Sequence, residues 1–213
     1  MKLIVVNIKK VLNANFLFMT LTSLIFGFFM LVGNNEQLDM FNVPYYSFVL
    51  KGFIFIFIVF ALELSKNLLQ EDKLGKKIEW FLGNGVSIRK VSMINSISLY
   101  LATSLLLLPL TIWTGLKLND FQLVGLLDYY LFAFVCSIII NRSIMFIVDM
   151  NRFKGIIIWL TFFYLLSLIL EMFVLSLGTK YLMGLSLKYL LSLLLIGALI
   201  SRTDKERITS AYY

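Results

Sequence analysis

Long apolar runs dominate the chain, and the polar residues are gathered between them. Runs without any charged residue extend over 11–35 and 91–116, and each exceeds the roughly 20 residues that a helix needs to cross a bilayer. Strands of a membrane barrel would instead show about ten residues of alternating polarity. The unbroken pattern therefore predicts helices.

Six segments have this character and predict an all-α membrane protein with six transmembrane helices. Short polar segments separate them, and no internal repeat or low-complexity linker divides the chain, so we expect one transmembrane domain over 1–213. The predicted spans are 15–33, 44–65, 92–114, 121–146, 155–175 and 181–200.

Composition supports lipid as the solvent of this chain. Of its 213 residues 60% are hydrophobic and only 15% are charged, with a mean hydropathy of +0.91. Soluble domains are about 45–50% apolar and about 25% charged. A soluble fold of this length would have no place to bury so much apolar surface.

The basic residues predict the orientation, because short cytoplasmic loops are enriched in lysine and arginine. All of the 19 lysines and arginines except Lys51, Lys117, Lys180 and Lys188 lie in or beside segments 1–14, 66–91, 147–154 and 201–213. We therefore expect both termini inside. This bias also explains the net charge of +7, and a nucleic-acid partner is not needed.

Segment 1–14 is predicted to form an interfacial helix. It has no small-residue cleavage site of a signal peptide. Its apolar residues recur at helical spacing, and its lysines would face lipid headgroups. The alternative is a cytoplasmic extension of the first span. The apolar positions are Leu3, Ile4, Ile8, Val11 and Leu12.

Segment 71–83 is predicted to form a short amphipathic helix between the second and third spans. Gly83 follows the last periodic residue, where helices favour a left-handed residue. Asn84-Gly85 is a turn signal, and Ser87 is placed to cap the third span. The helix would dock its stripe into a soluble partner or lie on headgroups. The apolar stripe comprises Leu74, Ile78, Phe81 and Leu82.

This region resembles the coupling-helix region of type-2 ABC exporter permeases. The shared pattern is an acidic residue, a glycine, an Ile-Glu pair, two apolar residues, a serine after a turn, and a basic residue. Two features depart from it: Lys76-Lys77 fill a gap that often holds one Thr or Ser, and 84–86 lack a proline. The matching residues are Glu71, Gly75, Ile78, Glu79, Phe81, Leu82, Ser87 and Lys90.

The resemblance implies a permease subunit of an ATP-driven exporter in a plasma membrane, here a bacterial inner membrane. It implies a separate ABC ATPase as partner, which binds ATP and Mg, so this chain would hold no cofactor of its own. It also implies a second permease chain, as homodimer or heterodimer. The implied ATPase-docking residues are Glu71, Leu74, Gly75, Ile78, Glu79, Phe81 and Leu82.

Four charged residues lie in the outer halves of the predicted spans. Lys51, Asp128 and Lys188 each lie about seven residues from the outer end of a span, roughly 10 Å deep, and Glu171 lies slightly nearer the outside. Groups at that depth pair or face a wet cavity. We favour the alternative, in which the lysines snorkel outward. Segment 172–187 would then be re-entrant, as the resemblance implies.

Catalytic chemistry finds little support. The chain has no histidine and a single cysteine, Cys136, in the fourth span, so the commonest general base and metal ligand is missing. We rank an exporter permease first, a non-transporting immunity or scaffold subunit second, and an intramembrane enzyme last. Abundant phenylalanine suits an amphipathic cargo such as a peptide, although such residues more often face lipid.

Overall fold

The described part of the chain is entirely helical. A computed structural model describes residues 2–11, 14–32, 45–66, 68, 72, 77–117, 123–146, 153–176 and 181–202. These residues contain eight helices and no strand. The helices are α1 Lys2–Val11, α2 Ala14–Val32, α3 Tyr45–Ser65, α4 Lys77–Gly83, α5 Ile88–Lys117, α6 Leu123–Phe146, α7 Phe153–Ser176 and α8 Tyr181–Arg202.

Each predicted span coincides with one helix, which confirms the helical assignment. The ends of α2, α3, α6 and α7 agree with prediction within two residues, because loss of the apolar pattern marks where each helix ends. The largest difference is α5, which begins four residues before the predicted span, at the Ser87 cap that the sequence also predicted. Pro109 lies within α5 without ending it.

Two of the described helices are long and apolar enough to cross a membrane, α5 and α6 over Leu123–Met145. Three further apolar stretches, Phe16–Phe29, Ile158–Ile169 and Ser186–Ser201, are shorter in the described residues. This finding rests on length and composition, and a buried helix of a soluble protein meets the same test. The structure thus has two candidate spans, and the six-span topology stays a prediction.

The core of the bundle lies between α3, α5 and α6. Fully enclosed side chains from all three helices meet there, including Phe53, Phe57, Leu106 and Phe132. Helix α2 packs against α5 and presents large apolar residues such as Phe18 and Phe29 outward. An outward apolar face next to a buried core is the arrangement expected of helices in lipid.

Helices α2 and α5 approach each other closely at Gly27. A Cβ atom at this position would overlap the side chain of Leu110, which is itself fully buried. Small residues permit such close helix contacts in membranes, where packing rather than hydrophobicity holds helices together. Gly27 therefore leaves room for the Leu110 side chain between these two helices.

Helix α1 packs against the bundle, which neither of the expected arrangements included. Asn7 is buried, and its Nδ2 donates to Asn95 Oδ1 at 3.3 Å and to Ser98 Oγ at 3.5 Å, both on α5. Val5 and Val6 remain exposed beside it. The helix thus has one face held by amide hydrogen bonds and an opposite face on which Val5, Val6 and Lys9 are exposed.

Candidate functional site

The predicted turn after the amphipathic helix is present, and its left-handed residue is Gly85. This glycine has a φ of 76°. Its N–H donates to Leu82 O at 3.1 Å, and the Val86 N–H donates to Phe81 O at 3.0 Å. This pair of bonds is a Schellman motif. The prediction placed the left-handed residue at Gly83, which instead is the last helical residue, because Asn84 caps the helix.

Ser87 caps α5 as predicted. Its Oγ accepts from the Lys90 N–H at 3.4 Å, and its carbonyl accepts from the Lys90 and Val91 N–H groups. The two caps leave only Val86 between the turn and the Ser87 cap. Helices α4 and α5 therefore form one tight helix–turn–helix elbow, which we call the α4–α5 elbow (77–91).

The apolar stripe of α4 faces the chain itself at Ile78. This side chain is only 2% exposed and packs with Ile88 and Val91 of α5 and with Met145 of α6. Phe81 and Leu82 are half-buried against the same cluster. The expectation that Ile78 lies in a groove of a partner is therefore corrected. Because the chain turns back at Gly85, Ile78 packs against the first residues of α5 and the last residues of α6.

The outer face of α4 centres on Trp80, which is 65% exposed and stacks edge-on against Phe81. Glu79 is half-buried, and its Oε1 accepts no hydrogen bond from any described residue. Of the other predicted docking residues, Glu71, Leu74 and Gly75 lie outside the described residues. Docking of an ATPase at this helix stays a prediction.

Asp72 connects α1 to α4. Its Oδ1 accepts from Lys10 Nζ at 3.0 Å and from Lys77 Nζ at 2.9 Å. The Asp72 side chain is 8% exposed, so water screens this contact less than it screens a surface pair. The sequence reasoning missed Asp72, although its position among the lysines of 66–77 is a signal for such a contact.

Asp128 and Lys188 form a buried ion pair between α6 and α8. Lys188 Nζ lies 2.7 Å from both carboxylate oxygens, and the two side chains are 6% and 3% exposed. The Tyr189 hydroxyl donates to Asp128 Oδ1 at 2.8 Å, and the ammonium lies 4.6 Å from the centre of the Phe132 ring. The carboxylate and the ammonium are thus neutralised within the bundle.

This geometry corrects the preference for snorkelling lysines at Lys188. A bidentate carboxylate and an aromatic face compensate the charge locally, so the side chain does not extend to the outer surface. Lys51 is also buried, and its carbonyl accepts from the Tyr164 hydroxyl. The side chain of Glu171 lies outside the described residues. A re-entrant segment over 172–187 stays a prediction, because α7 and α8 cover this range only in part.

A polar contact between α5 and α6 lies nearer the α4–α5 elbow than the Asp128–Lys188 pair does. Asn141 Nδ2 donates to Ser92 O at 2.7 Å, to Ser92 Oγ at 3.0 Å and to Ser96 Oγ at 2.8 Å. All three residues are buried. The sequence reasoning also missed Asn7 and Asn141; an amide placed within an apolar helix was the available signal.

Among the described residues, no group of three or more His, Cys, Asp or Glu is arranged to hold a metal ion. Comparisons of the chain with protein-family models, with curated proteins and with solved structures found no match.

Proposed function

We propose that this chain is the transmembrane permease subunit of an ATP-driven ABC exporter in a plasma membrane. A separate ATPase docks on the α4–α5 elbow from the cytoplasm, and the chain moves an amphipathic or hydrophobic cargo such as a peptide outward. The proposal includes six spans with both termini inside and a second permease chain that completes the pathway.

The observation that carries the proposal is the rigid attachment of α4. Ile78 packs this short helix against α5 and α6 together. The segment that connects α4 to α5 is short, and hydrogen bonds close it at both ends, the Schellman pair at the end of α4 and the Ser87 cap at the start of α5. A load applied to the outer face of α4 would therefore reach both candidate spans. A helix resting on headgroups does not require such an attachment.

The exposed side chain of Trp80 supports docking at this face. Aromatic residues are enriched among the residues that dominate protein interfaces, and a tryptophan this exposed next to the half-buried Phe81 forms an apolar projection. Because Ile78 is buried, we assign the principal contact to Trp80, with Leu82 and Phe81 at its edge. Glu79 remains the candidate to pair with a basic residue of the ATPase.

Recovery of an ATPase with tagged chains at matched membrane levels tests the proposal. We expect Trp80→Asp to lose the ATPase while the chain inserts normally, because the Trp80 side chain is mostly exposed and contacts the buried cluster only through Phe81. Ile78→Asp should instead lower the amount of folded chain, because burying a carboxylate beside Val91 and Met145 costs several kcal/mol. Glu63→Gln, on an exposed local ion pair with Lys66, is the matched control and should behave as wild type.

The outcomes separate the functional classes. Equal ATPase recovery with wild type and Trp80→Asp would mean that this face does not dock the partner. Recovery of a partner that does not hydrolyse ATP would favour the non-transporting immunity or scaffold subunit. An ATPase that binds and is stimulated by cargo would support the exporter.

A further inference from the structure

Helices α1 and α4 are each attached to α5 by separate contacts. Asn7 bonds α1 to Asn95 and Ser98, which lie two to three turns along α5 from the Ser87 cap. Ile78 and the turn attach α4 to the first residues of α5. Neither of these contacts joins α1 directly to α4.

Asp72 supplies the missing third contact. One carboxylate oxygen accepts from Lys10 near the end of α1 and from Lys77 at the start of α4. Lys10 is separated from Asp72 by 62 residues, so the contact is tertiary and not a feature of local sequence. Together the three contacts close a triangle of α1, α5 and α4.

We infer that Asp72 is a positioning residue that latches the N-terminal helix to the α4–α5 elbow, so that the two move as one unit. The negative charge of Asp72 explains why an acidic residue occupies this position. A single enclosed carboxylate lies between two ammonium groups from different elements, and each lysine would repel the other without it. Loss of Asp72 therefore does more than remove a contact: it leaves like charges facing each other.

Because of the latch, α1 takes part in any movement of the α4–α5 elbow. Val5 and Val6 of α1 are exposed, so a membrane surface or a partner that binds this face would shift α1, and Asp72 would relay the shift to Lys77. If the elbow docks an ATPase, which rests on the proposed function, the latch positions the docking helix. The latch itself depends only on the contacts described here.

Distances between spin labels at Val6→Cys and Gly83→Cys test the latch in the full chain in lipid. Val6 is exposed, and a Cβ at Gly83 meets open space, so both positions accept a label, whereas Cys136 is buried. We expect one narrow distance distribution in the wild-type background. Asp72→Asn should broaden it, and Glu63→Gln, on the exposed pair with Lys66, should leave it unchanged.

Charge reversal distinguishes a latch from general destabilisation. Asp72→Lys alone should broaden the distribution most, because three ammonium groups then meet. Lys10→Glu and Lys77→Glu added to Asp72→Lys should restore a narrow distribution by reversing every charge. A distribution that Asp72→Asn leaves narrow, or that the triple reversal fails to narrow in folded protein, would overturn the latch.

Recovery of an ATPase with the same variants separates this inference from the proposed function. A narrow distribution in wild type that Asp72→Asn broadens, without any ATPase bound to either chain, would retain the latch and refute the exporter. ATPase bound equally to wild type and Trp80→Asp, with the latch intact, would move the docking face and leave Asp72 in place.

Discussion

At the scale of single residues, the buried pair of Asp128 and Lys188 shows how an ionisable residue persists in an apolar bundle. The carboxylate accepts from Lys188 and Tyr189, and the ammonium lies against the Phe132 ring. Sequence alone placed both residues at one depth. It did not decide between pairing and snorkelling, because that depends on whether α6 and α8 are neighbours.

Neutralising one member of this pair should harm the protein more than removing both. Lys188→Met or Asp128→Asn should each lower the free energy of unfolding by about 3–5 kcal/mol, because an orphaned charge or amide remains buried. Combining Asp128→Leu with Lys188→Met should recover most of the loss.

Thermal unfolding in detergent, read by circular dichroism, measures these differences. Glu63→Gln is the control, since its exposed pair with Lys66 contributes at most about 1 kcal/mol. If the single variants at Asp128 and Lys188 unfold at the same temperature as wild type, the snorkelling interpretation would be favoured again.

Gly27 offers a second test at this scale. Gly27→Ala places a methyl group on the buried Leu110, and overpacking of this kind typically costs about 1–3 kcal/mol. Gly197→Ala lies within α8, where a Cβ meets no atom within 4 Å, and should not destabilise the protein, because alanine favours a helix over glycine by up to about 1 kcal/mol. Unfolding measurements on both variants provide the comparison, and equal stabilities would show that α2 and α5 do not meet closely at Gly27.

At the scale of elements, features that depend on neighbouring residues could be predicted from the sequence, and features that depend on tertiary contacts could not. Apolar runs and caps are local, so the helices, the turn at 84–85 and the Ser87 cap were predicted. The direction in which the α4 stripe faces is tertiary, and the sequence reasoning assigned Ile78 to a partner when α5 and α6 contact it. The Asn7 and Asp72 contacts were missed for the same reason.

The elbow gives a prediction that local chemistry decides. Gly85→Ala forces a Cβ into a positive φ, which costs roughly 1–2 kcal/mol, whereas Gly83→Ala has open space and a helical backbone. Hydrogen exchange at the Val86 amide, which donates to Phe81 O, should accelerate in the first variant and remain slow in the second. Equal protection would mean that the Schellman turn does not hold the elbow.

At the scale of the whole molecule, we expect the chain to pair with a second copy or a related permease in lipid. One chain would supply half of the pathway in the proposed exporter. Native mass spectrometry or cross-linking of the purified chain in lipid measures the assembly. A stable monomer with full transport activity would contradict the pairing.

The central claim is that an ATPase bound beneath the elbow drives the chain, and hydrolysis of Mg–ATP by the purified complex tests it most directly. We predict that the wild-type complex in proteoliposomes hydrolyses ATP. Glu79→Lys should lower the rate of hydrolysis more than it lowers the amount of bound ATPase, because reversing this charge removes one pairing partner at the edge of the contact without unpacking Ile78. A wild-type preparation without ATPase and without hydrolysis would contradict the account.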